Sequence, residues 1–189
     1  MDSTVLASIG SIFTWAAPVV FAVMGETLTE RSGVINLSLN GSMILSSMVG
    51  FAAATVTGSF FWGFAAGAAV GALVAFIIAF MSIGLKQSQV AVGYVLTLAT
   101  KSLAYFLGAP FVGLPVMQLP LVSIPFLDTF PILGPILFNK TILTYISYLL
   151  IVVCYIWIFK TSKGLVLQGI GEQPSASFVR GANVNRLRY

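Results

Sequence analysis

Few side chains in this sequence could do chemistry. Its 189 residues contain no His and a single Cys, Cys154. A zinc site needs about four such ligands, so zinc is excluded, as is any Ser-His or Cys-His nucleophile arrangement. Cys154 sits in an apolar run and reads as a small packed hydrophobe. No Gly-Lys pair occurs to build a phosphate-binding loop, and Gly169-Ile170-Gly171 begins like a dinucleotide fingerprint but has Pro174 where the third glycine belongs. No metal or cofactor is expected. What remains is a handful of charges and a polar stretch. Glu26 and Glu30 are four residues apart, on one face if a helix runs through them, with Arg31 beside them. They could relay a proton as a carboxylate pair. The plainer reading, a charged membrane boundary with Arg31 as counter-ion, is preferred. Lys101 lies inside an otherwise apolar run, where a charge is costly and a candidate for function. It could face a water-filled path, pair with a carboxylate, or snorkel to the interface if the span is shifted. Asn36, Ser38, Asn40 and Ser42 alternate with apolar residues between Gly33 and Met43. Polar groups and glycine at membrane depth are tolerated where they line a cavity or pack on another helix. This stretch could therefore hydrogen-bond a polar solute at a broken helix, or it could simply cap the helix that follows.

The elements that must position these residues follow from composition. Hydrophobic residues make up 58% of the chain and charged residues 7%, against roughly 25% charged in soluble domains. With a mean hydropathy of +1.02, the chain reads as an all-α, polytopic membrane protein rather than a soluble, disordered or disulfide-rich one. Residues 3–25 carry no charge, and residues 32–85 carry none over 54 positions. A span needs about 20 residues, so the long run holds two spans with a turn at Thr57-Gly58-Ser59. About five spans are expected, near 4–25, 36–57, 60–83, 90–108 and 141–159, forming a transmembrane domain over 1–159. Met1-Asp2 lacks the basic residues of a signal peptide, so the first span reads as retained. Six of the eight prolines (110, 115, 120, 125, 131 and 135) fall in residues 109–140. Proline removes a backbone donor and breaks helices, so this segment reads as a loop with, at most, a re-entrant or interfacial piece. Asn-x-Ser/Thr sequons at Asn36, Asn40 and Asn139 are read as chance.

Residues 1–159 have no net charge and residues 160–189 carry +4. Alternating spans put Arg31, Lys86 and the basic tail on one side and only Lys140 on the other. The positive-inside tendency makes the first side cytoplasmic, with the N-terminus and the Pro-rich loop outside. No basic face for nucleic acid is visible. Gly63, Gly67, Gly71, Ala75 and Ala79 recur every four residues in the third span. Such a ladder lets helix backbones approach closely and is read as static packing rather than a sliding contact. In the tail, Pro174 is suited to a first helical position and Gly181 to a stop. The short helix between them shows Ala176, Phe178 and Val179. It could fill a groove on a partner or lie on lipid, drawn by Arg180, Arg186 and Arg188.

The run Gly25-Glu26-Thr27-Leu28-Thr29-Glu30-Arg31-Ser32-Gly33-Val34-Ile35-Asn36-Leu37-Ser38-Leu39-Asn40-Gly41-Ser42-Met43 resembles the signature of sugar and nucleoside permeases of ABC importers, which group with the ribose and branched-chain amino-acid permeases. Thr161-Ser162-Lys163-Gly164-Leu165 and Gly171-Glu172-Gln173-Pro174-Ser175-Ala176, with Gly181 and Asn183-Val184, are similar to that family's cytoplasmic coupling loop. Leu133-Gly134-Pro135-Ile136-Leu137 is similar to its external loop. Ser177, Ala182 and Lys101 depart from the family pattern. The resemblance implies a pore-forming subunit that performs no covalent chemistry and moves a nucleoside or simple sugar. It would work in a bacterial plasma membrane with a second permease, a cytoplasmic ATP-binding subunit and an external solute-binding lipoprotein. It implies that residues 33–41, and so Asn36, Ser38, Asn40 and Ser42, lie near the substrate path. It also implies that residues 160–189 form a cytoplasmic coupling segment, with Gly171, Glu172, Pro174, Ala176, Phe178 and Gly181 at the ATPase contact. Family permeases are longer, so the chain is expected to be the N-terminal part of one, from a truncated, split or frameshifted gene. The competing class is an ion-coupled secondary transporter of a small polar solute, using Glu26, Glu30 or Lys101.

Overall fold

The computed structural model describes residues 3–115, 118–123 and 134–188. Its first helix, α1 (Ser3–Arg31), is about 43 Å long at 1.5 Å per residue. That exceeds the roughly 30 Å hydrocarbon thickness of a bilayer. The charge-free run ends at Gly25, but the helix does not, because Glu, Leu, Thr and Arg continue it well enough and only Gly33 stops it. Gly33 takes φ 80°. Val34 N donates to Thr29 O at 3.0 Å and Gly33 N to Glu30 O at 2.9 Å, the paired bonds of a Schellman stop. The second helix, α2, spans Leu39–Thr57, so Asn36 precedes it instead of opening it. Gly58 at φ 66° ends α2, and α3 (Phe60–Ala79) follows and continues into a π-helical turn, Phe80–Gly84. Helix α4 (Gln89–Gly108) is capped by Ser88, whose Oγ accepts from Ala91 N at 3.4 Å, and leads into a 3₁₀ turn, Ala109–Phe111. Helix α5 spans Ile142–Lys160.

Among the described residues, five helical segments are long and apolar enough to cross a membrane: Ser8–Arg31, Leu39–Thr57, Phe60–Gly84, Gln89–Phe111 and Ile142–Lys160. Large apolar side chains stand uncovered along them, Trp15 at 79% and Phe106 at 78% exposure among them. Burying such side chains is worth roughly 1.5–3 kcal/mol each, so lipid or protein must cover them. This is a helical, multi-pass membrane protein.

By packing, the chain forms two compact units, Met1–Gly25 with Gln118–Gly164, and Glu26–Met117 with Leu165–Tyr189. In the second unit α2 packs mainly on α3 and then on α4. Leu45, Val74, Ile78, Val92 and Ala104 form its core. In the first unit, two three-residue strands pair antiparallel, β1 (Leu121–Ser123) and β2 (Asn139–Thr141), with Val122 opposite Lys140. They lie in the segment expected to be loop and add a small sheet to the helical fold. Tyr145 clasps the pair, donating its hydroxyl to Val122 O at 2.9 Å. A π-helical segment, Gly134–Phe138, leads into β2. Met1-Asp2, Pro125, Asp128, Pro131 and Leu133 lie outside the described residues.

The basic tail holds three helices, α6 (Ser162–Glu172), α7 (Pro174–Val179) and α8 (Val184–Arg188). Helix α6 was not anticipated from the sequence. Leu167 and Ile170, three residues apart, are its buried apolar face, a stripe too short to stand out beside three glycines and polar residues.

Candidate functional site

A non-helical linker separates α1 from α2 in the second unit. Extended chain leaves its N–H and C=O groups unpaired, and each must be satisfied if it is to sit among helices. Side chains from two helices do this. Ile35 N donates to Gln89 Oε1 at 3.0 Å, and Asn36 N donates to Glu26 Oε1 at 3.0 Å. Thr97 Oγ1 donates to Leu37 O at 2.7 Å. Asn36 Oδ1 accepts from both Ser38 N (3.0 Å) and Ser38 Oγ (2.8 Å), an Asx turn that launches α2. Ser38 is fully buried.

The four residues expected near a substrate path therefore divide. Asn36 and Ser38 spend the named polar atoms on the linker itself. Ser42 returns its hydroxyl to Leu39 O at 2.9 Å. Asn40, on the first turn of α2, is the one with an exposed side chain. Glu26 and Glu30 likewise have different surroundings, since Glu26 holds the linker and Glu30 is exposed.

Two glycines let the linker and α2 approach α4. A methyl group at Gly41 would overlap the Thr100 hydroxyl, and one at Gly93 would come within 3.0 Å of Leu37 Cβ. On the other side of α2 stand the ladder glycines. A methyl at Gly63 would lie 2.8 Å from Ala54 Cβ and 2.9 Å from Gly50 O. One at Gly67 would lie 3.0 Å from Ser46 O, and one at Gly71 only 3.4 Å from Ser46 Oγ. The ladder loses contact toward Ala75, which is exposed. Steps of four residues advance about 40° beyond a full turn, so the buried face passes to Val74 and Ile78.

The tail helices reach the linker through Gly171. A methyl there would overlap the Arg31 carbonyl and sit 3.2 Å from Gly33 N. Beyond it, Glu172 is exposed and Gln173 turns the chain into α7. Pro174 opens α7. Gly181, at φ 88°, closes it, with Gly181 N donating to Phe178 O at 2.9 Å and Ala182 N to Ser177 O at 3.1 Å. Ala176, Phe178 (70%) and Val179 (85%) are exposed. Phe178 and Gly181 also line an open cavity of about 370 Å³ with Ala182, Asn183 and Val184.

The two membrane-proximal lysines reverse their sequence ranking. Lys101 is exposed on α4. Lys140, counted only as a loop charge, is buried and donates its Nζ to Gly10 O at 2.7 Å. Burial pushes its ammonium below the usual lysine range.

The family model that matches the chain describes the permease component of the branched-chain amino acid transport system, and it covers residues 8–189. A putative glucose ABC transporter permease protein, TsgC13 of Haloferax volcanii, is 34% identical over 178 residues, 92% of this chain and 54% of the relative. The guanosine ABC transporter permease protein NupQ of Bacillus subtilis is 30% identical over 193 residues, 93% of this chain and 59% of the relative. The nucleoside ABC transporter permease protein NupC of Lactococcus lactis is 26% identical over 198 residues, 99% of this chain and 62% of the relative. The chain thus spans little more than half the length of these relatives. No solved structure matches it. With five described helices long and apolar enough to cross a membrane and a family match across nearly all of its length, the chain belongs to the permease components of the branched-chain amino acid transport family.

Proposed function

We propose that this chain is part of a permease subunit of an ABC importer that moves a nucleoside or simple sugar inward across a bacterial plasma membrane. It performs no covalent chemistry, and ATP is hydrolysed on a separate cytoplasmic subunit. A second permease and an external solute-binding lipoprotein complete the assembly. The relatives named for glucose, guanosine and nucleosides support this solute class, because all are polyhydroxylated molecules. Asn40, exposed at the start of α2, and the linker beside it are the residues we assign to the solute path.

The observation that carries the reading is the exposed apolar face of α7. Phe178 and Val179 stand almost uncovered on a helix fixed at both ends by Pro174 and Gly181. Such a face fits a groove on the ATP-binding subunit. Glu172 and Ala176 flank this contact, while Gly171 packs on the Arg31 carbonyl. Removing a buried aromatic anchor typically costs about 2 kcal/mol or more, roughly a thirtyfold loss of affinity. Phe178→Ala should therefore leave membrane insertion intact, release the ATPase and abolish uptake. Arg180→Ala should do less, since rim charges act mainly on association rate. Co-purification of the ATPase with each variant tests this. Retention at wild-type stoichiometry and affinity by Phe178→Ala would assign the segment to the lipid surface instead.

A further inference from the structure

Arg188, on α8, binds two carbonyls that lie far apart in the chain. Its Nε donates to Ser32 O at 2.9 Å and its Nη2 to Ile170 O at 3.3 Å. Both acceptors belong to helix C-termini. Ser32 follows the last residue of α1, and Ile170 lies in the last turn of α6. The last four carbonyls of a helix have no partner within it. At the end of α1, Thr29 O and Glu30 O are taken by the turn at Gly33, which leaves Ser32 O to the guanidinium. The C-terminal ends of two helices each carry a partial negative charge of about half an electron, and a cation placed there is stabilised. One guanidinium serves both, because its rigid fork presents several donors in fixed directions. A lysine ammonium could not span the two acceptors in the same geometry.

The tail and the linker also approach backbone to backbone at the same place. A methyl at Gly33 would come within 2.9 Å of Arg188 Nη2 and 3.3 Å of Gly171 Cα. Glycine at both positions leaves α6 and the α1–α2 turn in direct contact, with the guanidinium closing the gap. Three residues on from Gly33, Asn36 is held by Glu26, and its Asx turn with Ser38 leads into α2.

We infer that Arg188 is a positioning residue that locks α6 to the α1–α2 turn, so that displacement of the tail is passed to the linker and α2. The inference rests on the reading of the tail as the ATPase contact. It adds a specific mechanical link, and its failure is separable from failure of that reading.

The test uses the assembled transporter in proteoliposomes, with Arg188→Ala, Arg188→Lys and Gly171→Ala. Three quantities are measured: ATPase retained on the permease, solute taken up per ATP hydrolysed, and the thermal midpoint of the purified complex. Arg188→Ala should retain the ATPase while uptake per ATP falls about tenfold, within the usual span of coupling between sites. Arg188→Lys should fall between Ala and the wild type. Gly171→Ala, which wedges the two segments apart and leaves Arg188 in place, should uncouple as well. Unchanged uptake per ATP in Arg188→Ala would overturn the inference, and so would a lower thermal midpoint with unchanged uptake per ATP in the surviving complex. Loss of the ATPase in proportion to the loss of uptake would also overturn it, since Arg188 would then act in docking. A Phe178→Ala complex that keeps its ATPase would overturn the docking reading alone.

Discussion

Glu26 Oε1 accepts the backbone N–H of Asn36 at 3.0 Å, so a carboxylate in the last part of one membrane helix holds the linker that leads to the next. The backbone group would otherwise be unpaired among helices. Leaving a buried donor unsatisfied costs about 1–3 kcal/mol. Glu26→Ala should lower the stability of the purified permease by that order in a denaturant titration, while Glu26→Gln keeps an acceptor and should lose much less. Equal losses for both variants would show that charge, rather than the hydrogen bond, is what the site needs.

Gly67 and Gly71 give a graded pair for the α2–α3 contact. A methyl at Gly67 would press on Ser46 O at 3.0 Å, whereas one at Gly71 meets Ser46 Oγ at an ordinary 3.4 Å. Overpacking a close contact costs typically about 1–3 kcal/mol. Gly67→Leu should abolish recovery of monodisperse protein by size exclusion, and Gly71→Ala should be near neutral. Normal recovery of Gly67→Leu would mean that α3 turns this face to lipid.

Lys140 links β2 to α1 through Gly10 O and has its ammonium destabilised by burial. A lysine whose folded pKa is depressed opposes folding below that pKa, because the unfolded chain binds its proton more tightly. Stability should therefore rise as pH climbs from the folded pKa toward the ordinary value of 10.5. Lys140→Met should be more stable than the parent near neutral pH and should lack that rise. Thermal midpoints measured across the alkaline range for both proteins decide it, and a parallel pair of curves would sink the idea.

Topology is testable by labelling single cysteines in a Cys154→Ser background, Cys154 being a free, buried thiol. Cysteines replacing Ser59 and Val122 should react from outside the cell, and those replacing Lys86 and Ser175 only from inside. Labelling of position 175 from outside would overturn both the orientation and the ATPase contact.

The five spans were legible in the sequence because a helix enters an apolar phase on local composition alone, with its backbone bonds satisfied within the segment. The limits of α7 were legible for a similar reason: Pro174 and Gly181 act through their own φ angles. The end of α1 and the start of α2 were not. The apolar run stops at Gly25 but the helix stops at Gly33, where Arg31 in the last turn and a following glycine are a local signal that outranks hydropathy. Asn36 looked like a helix start and instead folds back on Ser38.

What tertiary structure alone decided are the pairings across long chain separations. Arg188 meets Ser32 across 156 residues, Lys140 meets Gly10 across 130, and Thr97 meets Leu37 across 60. Every partner but the side chains themselves is a backbone carbonyl, which each residue in the chain possesses. Residue type therefore cannot single it out. Only the packing of helices determines which carbonyls are left unsatisfied and which side chain stands close enough to bind them.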